Sequence, residues 1–325
     1  MKSAVQIGSM FFQSPEADEA ERFLAENGLD AMEISLPINA DAIRAGERRR
    51  IIECARRLPG RVALHEVIPL ALAHRQSEFR RRLTIRLAED VRLAREAGIS
   101  ILTLHTTCTR TVRPLEREWR ISHTRWLSRA LDRDVTASYE ESVRAMIALL
   151  EELSPTAAEA PKVWLAVENN FRDTRFFGRR MDSVDDVLQA LDAARPDAVG
   201  LYAPPRESRA NAGHVPSAAL GVTSSPAAMC FDIFKAFSTE QSIPDAIRRA
   251  GGRIVNVHAS DAQPADTAFF RRRAAIGQGA IGWRPVAQAL AAIGYRGPII
   301  FEMMEDAEEI RSSALCLREI FAELE

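Results

Sequence analysis

The 325-residue sequence predicts an α/β fold, a parallel eight-stranded (β/α)8 barrel with its active site at the C-terminal face. Three observations predict it. Short apolar runs alternate strictly with longer amphipathic stretches, giving eight strand–helix pairs. The chain is long for an ordinary domain but normal for such a barrel. Most of the apolar runs end in a carboxylate or an imidazole. The pattern is clearest at Val163-Trp164-Leu165-Ala166-Val167-Glu168-Asn169-Asn170, where five apolar residues stop at a charge and two amides. Such a run suits a strand buried on both faces, with room for a charge only at its end. A doubly wound open sheet would also alternate, but it would not gather six strand ends onto one centre.

In order, the first strand is expected over Ala4 to Phe12. Ser14-Pro15 follows as N-cap and N1 of a helix to Asn27, which Gly28 stops. Leu29 to Leu36 is a second strand, Asp41 to Leu58 a helix, and Arg61 to Val67 a third strand. A helix from Ser77 to Ala97 ends at Gly98, and the strand Ile99 to Thr106 follows. Thr136 to Leu153 is helical, 162 to 169 is the fifth strand, and Ser183 opens a helix to Ala194 with a capping-box pattern. Ala227 to Ile233, Arg253 to Ala259 and Pro298 to Met303 are the last strands, with helices over Ile243 to Ala250, Pro285 to Ile293 and Asp306 to Leu324. Two segments break the rhythm. Residues 107–135 are rich in Arg and Trp and read as a lid or oligomer contact; residues 195–226 are rich in Pro, Gly, Ser and Ala and read as a flexible insertion. The expectation is a single domain over 1–325.

Composition narrows the function classes. Apolar residues make up 46 %, enough for a large core, and the net charge of −2 gives no basic field for nucleic acid. Cys54, Cys108, Cys230 and Cys316 show no zinc-ribbon or redox spacing, so a reduced, cytoplasmic setting is expected. Met1 to Gln13 lacks the features of a signal peptide, and no apolar stretch reaches 18 residues, so no membrane partner is expected. Trp119 and Trp126 stand among seven arginines between Arg110 and Arg133, but Glu116, Glu118 and Asp132 dilute that charge. Gly277-Gln278-Gly279-Ala280-Ile281-Gly282 matches a dinucleotide fingerprint in letters, yet it follows no strand directly and lacks the later acidic partner.

Six polar residues fall at or near the carboxyl ends of apolar strands: His65, His105, Glu168, Asp232, His258 and Glu302. In a barrel these ends converge on one axis. Three carboxylates brought together repel unless protonated or neutralised by a cation, and nearby imidazoles make a divalent metal the simplest answer. Singly, each has an ordinary structural reading as a satisfied histidine, a helix cap or a loop ion pair; their joint placement carries the metal reading. Mixed N/O donors suit Mn, Zn, Co or Fe, and Mg less well. His74, His123 and His214 fall in helix or loop regions and read as surface residues.

The motifs Leu64-His65, Leu104-His105, Val167-Glu168-Asn169, Phe231-Asp232, Val257-His258-Ala259-Ser260-Asp261 and Phe301-Glu302 resemble the xylose-isomerase-like TIM-barrel superfamily, in order and over nearly the whole chain. That group holds sugar-phosphate isomerases and epimerases together with endonuclease IV-like nucleases. The resemblance implies a metal held by Glu168, Asp232, His258 and Glu302, with Glu168 and Glu302 also moving protons. It implies that His65 and His105 hold a second metal or substrate. Two departures stand out. The family often has Asp-x-x-His at the sixth strand, whereas here Asp232-Ile233-Phe234-Lys235 puts a lysine in place of the histidine. Phe270-Arg271-Arg272-Arg273-Ala274 stands where the nuclease branch has an Asp-x-His pair, which argues against a third metal.

The resulting expectation is a divalent-metal-dependent isomerase or epimerase of a small polyhydroxylated carbonyl compound. Glu168, Glu302 and Lys235 are the catalytic candidates, with Lys235 stabilising an enediolate or holding an anionic group. Asn169, Asp261, Arg271 and Arg273 are expected behind the metal ligands or on the substrate. The alternatives are a two-metal phosphodiesterase and a dehydratase on the same scaffold. The expected partners are a small-molecule substrate and further copies of the chain, as a homo-oligomer.

Overall fold

A computed structural model describes residues 5–36, 45–66, 77–106, 138–170, 183–194, 225–263, 273–302, 304 and 306–324. Eight parallel strands close into a barrel: β1 (Gln6–Phe11), β2 (Ala31–Ser35), β3 (Val62–Glu66), β4 (Ile101–His105), β5 (Trp164–Glu168), β6 (Ala227–Asp232), β7 (Ile254–Ala259) and, closing back onto β1, β10 (Pro298–Phe301). A two-residue antiparallel ladder, β8 (Asp261–Ala262) with β9 (Arg273–Ala274), sits beyond β7. The helices are α1 (Ala17–Glu26), α2 (Ala45–Arg57), α3 (Ser77–Ala97), α4 (Tyr139–Ala158), α5 (Val184–Ala193), α6 (Ile233–Thr239), α7 (Ile243–Ala250), α8 (Trp283–Ala292) and α9 (Ala307–Ala322).

Strand periodicity decides what each residue does. Leu64, Leu102, Leu104, Leu165, Val167, Phe231, Val257 and Phe301 are fully buried in the core they share with helix residues such as Leu87, Val91, Met146, Leu150 and Val187. Burying one such side chain contributes about 1.5–3 kcal/mol. The intervening positions, with period two, carry the polar groups: Thr103 and His105 on β4, Cys230 and Asp232 on β6, Asn256 and His258 on β7. Register then sets the polar groups side by side, with His105 opposite Glu168 and Asp232 opposite His258. Gly8 on β1 is required by close approach, since a Cβ there would lie 2.4 Å from the Ala31 carbonyl oxygen.

Local chemistry moves several boundaries from the sequence expectation. α1 starts at Ala17 rather than Pro15, because the Ser14 carbonyl is held by the Arg50 guanidinium of α2 at 2.9 Å and the chain stays extended through Glu16. α4 starts at Tyr139, where Ser138 and Glu141 exchange side-chain and backbone bonds of 3.1 and 2.7 Å. Its apolar face runs on past Leu153 to Ala157, with Pro155 tolerated inside the helix. α6 was not anticipated. Asp232 ends β6 and at once caps α6, so Ile233 belongs to the helix rather than to the strand. The segment 107–135, nearly all of 195–226, Arg271, His74, His123 and His214 lie outside the described residues.

Candidate active site

The floor of the site is a hydrogen-bonded triad across the barrel interior. Glu33 on β2 accepts from Thr103 Oγ1 of β4 at 2.7 Å and from Asn256 Nδ2 of β7 at 3.1 Å, through the same oxygen. Asn256 Nδ2 also lies 3.0 Å from Thr103 Oγ1. All three are fully buried and come from non-adjacent strands, which is possible only for side chains pointing into the barrel. Sequence reasoning passed over Glu33. Its signal was a charge in the middle of Ala31-Met32-Glu33-Ile34-Ser35, all of it buried, with no break beside it.

One layer higher stands His258. Its Nε2 lies 2.6 Å from the other Glu33 oxygen and its Nδ1 lies 2.6 Å from Glu168 Oε1. The ring stacks on His65 at 5.2 Å, and His65 meets His105 edge-on at 4.8 Å. The remaining Glu168 oxygen, Oε2, lies 3.4 Å from His105 Nε2 and 2.6 Å from Lys235 Nζ. Lys235 also reaches Asp232 Oδ2 at 2.9 Å and Glu302 Oε2 at 3.9 Å. Glu302 is forked by Arg273, whose Nη1 and Nη2 both donate to Oε2 at 3.0 Å. Arg273 Nη1 further donates to Ser260 Oγ and to the Glu302 carbonyl, and the guanidinium lies 4.7 Å from the Phe234 ring centroid.

These contacts set the charges. Burial alone would raise the Glu168 carboxyl, but Lys235 and His258 hold it well below the usual carboxylate range. Glu302 is likewise lowered, against burial, by Lys235 and Arg273. Asp232 goes the other way: burial, with Glu302 and Glu168 close by, pushes it up to about 6 despite Lys235. Burial would lower His258, yet Cys230, Glu33 and Glu168 raise it well above an ordinary histidine. His65 is lowered, chiefly by burial. At neutral pH the site therefore holds ionised Glu168 and Glu302, a largely ionised Asp232, a neutral His65, a protonated His258 and the tightly held Lys235 ammonium.

A divalent ion fits this donor set. One ligand atom from each of His65, Glu168, His258 and Glu302 lies within 4.8 Å of the others. Both ring nitrogens of His65 are buried and have no hydrogen-bond partner among the described residues, a costly state that coordination would relieve. Two imidazoles, His258 after giving up a proton, and two carboxylates match the donors that Mn, Zn, Co and Fe prefer. The group is not the expected quartet. Asp232 stands outside it, its Oδ1 accepting the Lys235 backbone N–H at 2.8 Å and its Oδ2 paired with the Lys235 ammonium.

The other candidates lie behind the site. Asn169 ties β5 to β6, accepting from the Asp232 N–H at 2.8 Å and donating to its carbonyl at 3.0 Å. Asp261 organises the glycine loop. Its carboxylate accepts from the backbone of Ala262, Gly277, Gly279 and Ile281 and from Trp283 Nε1, all at 2.8–3.1 Å. Gly279 is needed there, because a Cβ would lie 2.2 Å from Asp261 Oδ1. Away from this face, a glycine-rich cleft of about 270 Å³ beside Trp164, Gly251 and Gly297 brings no carboxylate or histidine together.

Residues 217–320 match the family model described as xylose isomerase-like TIM barrel. No curated protein matches the sequence. The fold is shared with solved structures of L-ribulose 3-epimerase (16 % identity, 98 % of this chain and 97 % of that one, TM-score 0.66). It is shared too with D-psicose 3-epimerase from Clostridium cellulolyticum H10, solved with D-tagatose (14 % identity, 98 % and 99 %, TM-score 0.65). A third is 3-keto-D-glucoside 4-epimerase from E. coli (14 % identity, 97 % and 99 %, TM-score 0.66). No helix among the described residues is long and apolar enough to cross a membrane.

Proposed function

We propose that this chain, a xylose isomerase-like TIM barrel, is a divalent-metal-dependent isomerase or epimerase of a small polyhydroxylated carbonyl compound of the sugar or sugar-phosphate type. The observation that carries the reading is the joint presence of two ionised carboxylates, Glu168 and Glu302, in one buried His65–Glu168–His258–Glu302 donor group. His65, Glu168, His258 and Glu302 would hold the ion. When bound, the ion would polarise a carbonyl and its neighbouring hydroxyl and so acidify the C–H between them.

This chain's own residues then handle the proton. Glu168, held ionised, takes the proton from the carbon next to the carbonyl. The pair of electrons left behind passes toward the carbonyl oxygen, giving an enediolate. Lys235, within reach of both glutamates in the ion-free site, supplies a nearby positive charge against the added negative charge. Return of the proton by Glu168 to the neighbouring carbon gives isomerisation; for epimerisation Glu302 takes up a proton from solvent and delivers it to the opposite face, while Glu168 gives its proton to solvent. Arg273 keeps Glu302 aimed, and ionised until it takes up that proton. The printed names of the structural neighbours, two 3-epimerases and a 4-epimerase, support the epimerisation arm.

The test is a panel of ketopentoses, ketohexoses and their phosphates, incubated with Mn2+ and followed by NMR for an epimer or isomer. Turnover that needs the ion and is lost in Glu168→Gln supports the reading. A full panel without product, together with hydrolysis of a phosphodiester, would replace it. The two-metal phosphodiesterase draws on His105 beside Glu168 Oε2, but Lys235 already stands closer to that oxygen, at 2.6 against 3.4 Å.

A further inference from the structure

Lys235 is placed by its own helix cap. Asp232 caps α6 by accepting the Lys235 N–H on Oδ1, which sets Lys235 in the first turn with its side chain folded back over the capping residue. The ammonium is 4 % exposed and touches Glu168, Asp232 and Glu302 at 2.6, 2.9 and 3.9 Å. The Lys235 ammonium thus stands where three carboxylates converge, with the Arg273 guanidinium also on Glu302. That is the electrostatic task that otherwise calls for a metal ion. Two of these carboxylates, Glu168 and Glu302, also belong to the four-residue donor group, and the third, Asp232, lies outside it, paired with Lys235.

An ion bonded to Glu168 Oε2 would need that oxygen at about 2.0–2.2 Å, and with Lys235 Nζ 2.6 Å from the same oxygen it would stand within about 5 Å of the ammonium. A dication and an ammonium that close, with no water between, repel strongly. We propose that Lys235 and a divalent ion compete for the same carboxylates, so that loading displaces the ammonium, frees Asp232 as a further ligand, and is weakened by the lysine. The proposal rests on the metal site of the preceding reading but not on its reaction. It gives Lys235 two stations: a counter-ion before loading and, after it, a mobile cation at the edge of the site.

Mn2+ binding by calorimetry to chelator-treated wild type, Lys235→Met and Lys235→Gln tests this without a substrate. Both variants keep the chain length but lose the charge. Both should bind Mn2+ at least about tenfold more tightly than wild type. Before loading, both should melt below wild type and recover with Mn2+ by a larger shift than wild type shows. Equal or weaker Mn2+ binding in both variants would overturn the proposal. If neither variant folds, a Mn2+-soaked wild-type crystal decides. Lys235 Nζ should then lie beyond about 4 Å from Asp232 Oδ2, with Asp232 on the ion. An ion on Glu168 with Lys235 still bridging would overturn it, and failure of the sugar panel alone would leave these outcomes unaffected.

Discussion

Glu33 holds His258 from below: the Glu33 carboxylate lies 2.6 Å from His258 Nε2 while Thr103 and Asn256 fix its other oxygen. This leaves Nδ1 facing Glu168, the direction in which a metal ligand must point. Glu33→Gln keeps the shape and removes the charge. It should weaken Mn2+ binding about 10- to 100-fold while the chain still folds, a loss measurable by calorimetry. A change of less than about twofold would show that the triad only fills space.

Asp261 is the acceptor on which the glycine loop turns. Asp261→Ala would strand several buried N–H groups at once and should cost about 3 kcal/mol or more in urea unfolding. Gly279→Ala should destabilise the same loop, because its new methyl group would collide with the Asp261 carboxylate. Wild-type stability in both variants would remove Asp261 from the account of this loop.

Much of the fold and part of the candidate site are legible in the sequence. Eight apolar runs in alternation with helices specified the barrel, because strands buried on both faces carry no polar residue except where it is needed. Glu168, His258 and Glu302 were readable for the same reason. Glu33 was not, because its partners Thr103 and Asn256 lie on strands distant in sequence and meet it only across the closed barrel. Arg273 read as one of three loop arginines, and the two-residue ladder of β8 with β9 singles it out. Lys235 stood out as a departure, but its reach across three carboxylates depends on α6 beginning directly at Asp232.

Asp90, on α3, provides a pH handle outside the candidate donor group. It pairs with Arg86 along α3 at 2.9 Å, and burial pushes its carboxyl up from 3.8 to about 6 against the pull of Arg86. Between those values the folded chain keeps a proton that the unfolded chain has released, so stability is greatest below the window and falls as pH rises through it. Wild type should lose on the order of 3 kcal/mol relative to Asp90→Asn between about pH 4 and pH 7. A flat difference across that range in urea titrations would contradict the assignment.

Metal stoichiometry separates the sugar reading from the two-metal reading. Chelator-treated protein reloaded with Mn2+ should take up close to one ion per chain. Glu168→Gln should lose that ion, since Glu168 is central to the donor group. Two ions per chain, with loss of one in His105→Ala, would favour phosphodiester chemistry instead.

Solvent deuterium tests the central claim most directly. With Mn2+, a ketose substrate found in the sugar panel, and D2O, wild type should place deuterium on the carbon next to the carbonyl as product forms. Glu302→Gln should exchange that position through Glu168 while releasing little epimer, and Glu168→Gln should do neither. Epimer formed without deuterium on that carbon, or full turnover in both variants, would contradict proton transfer by this pair of carboxylates.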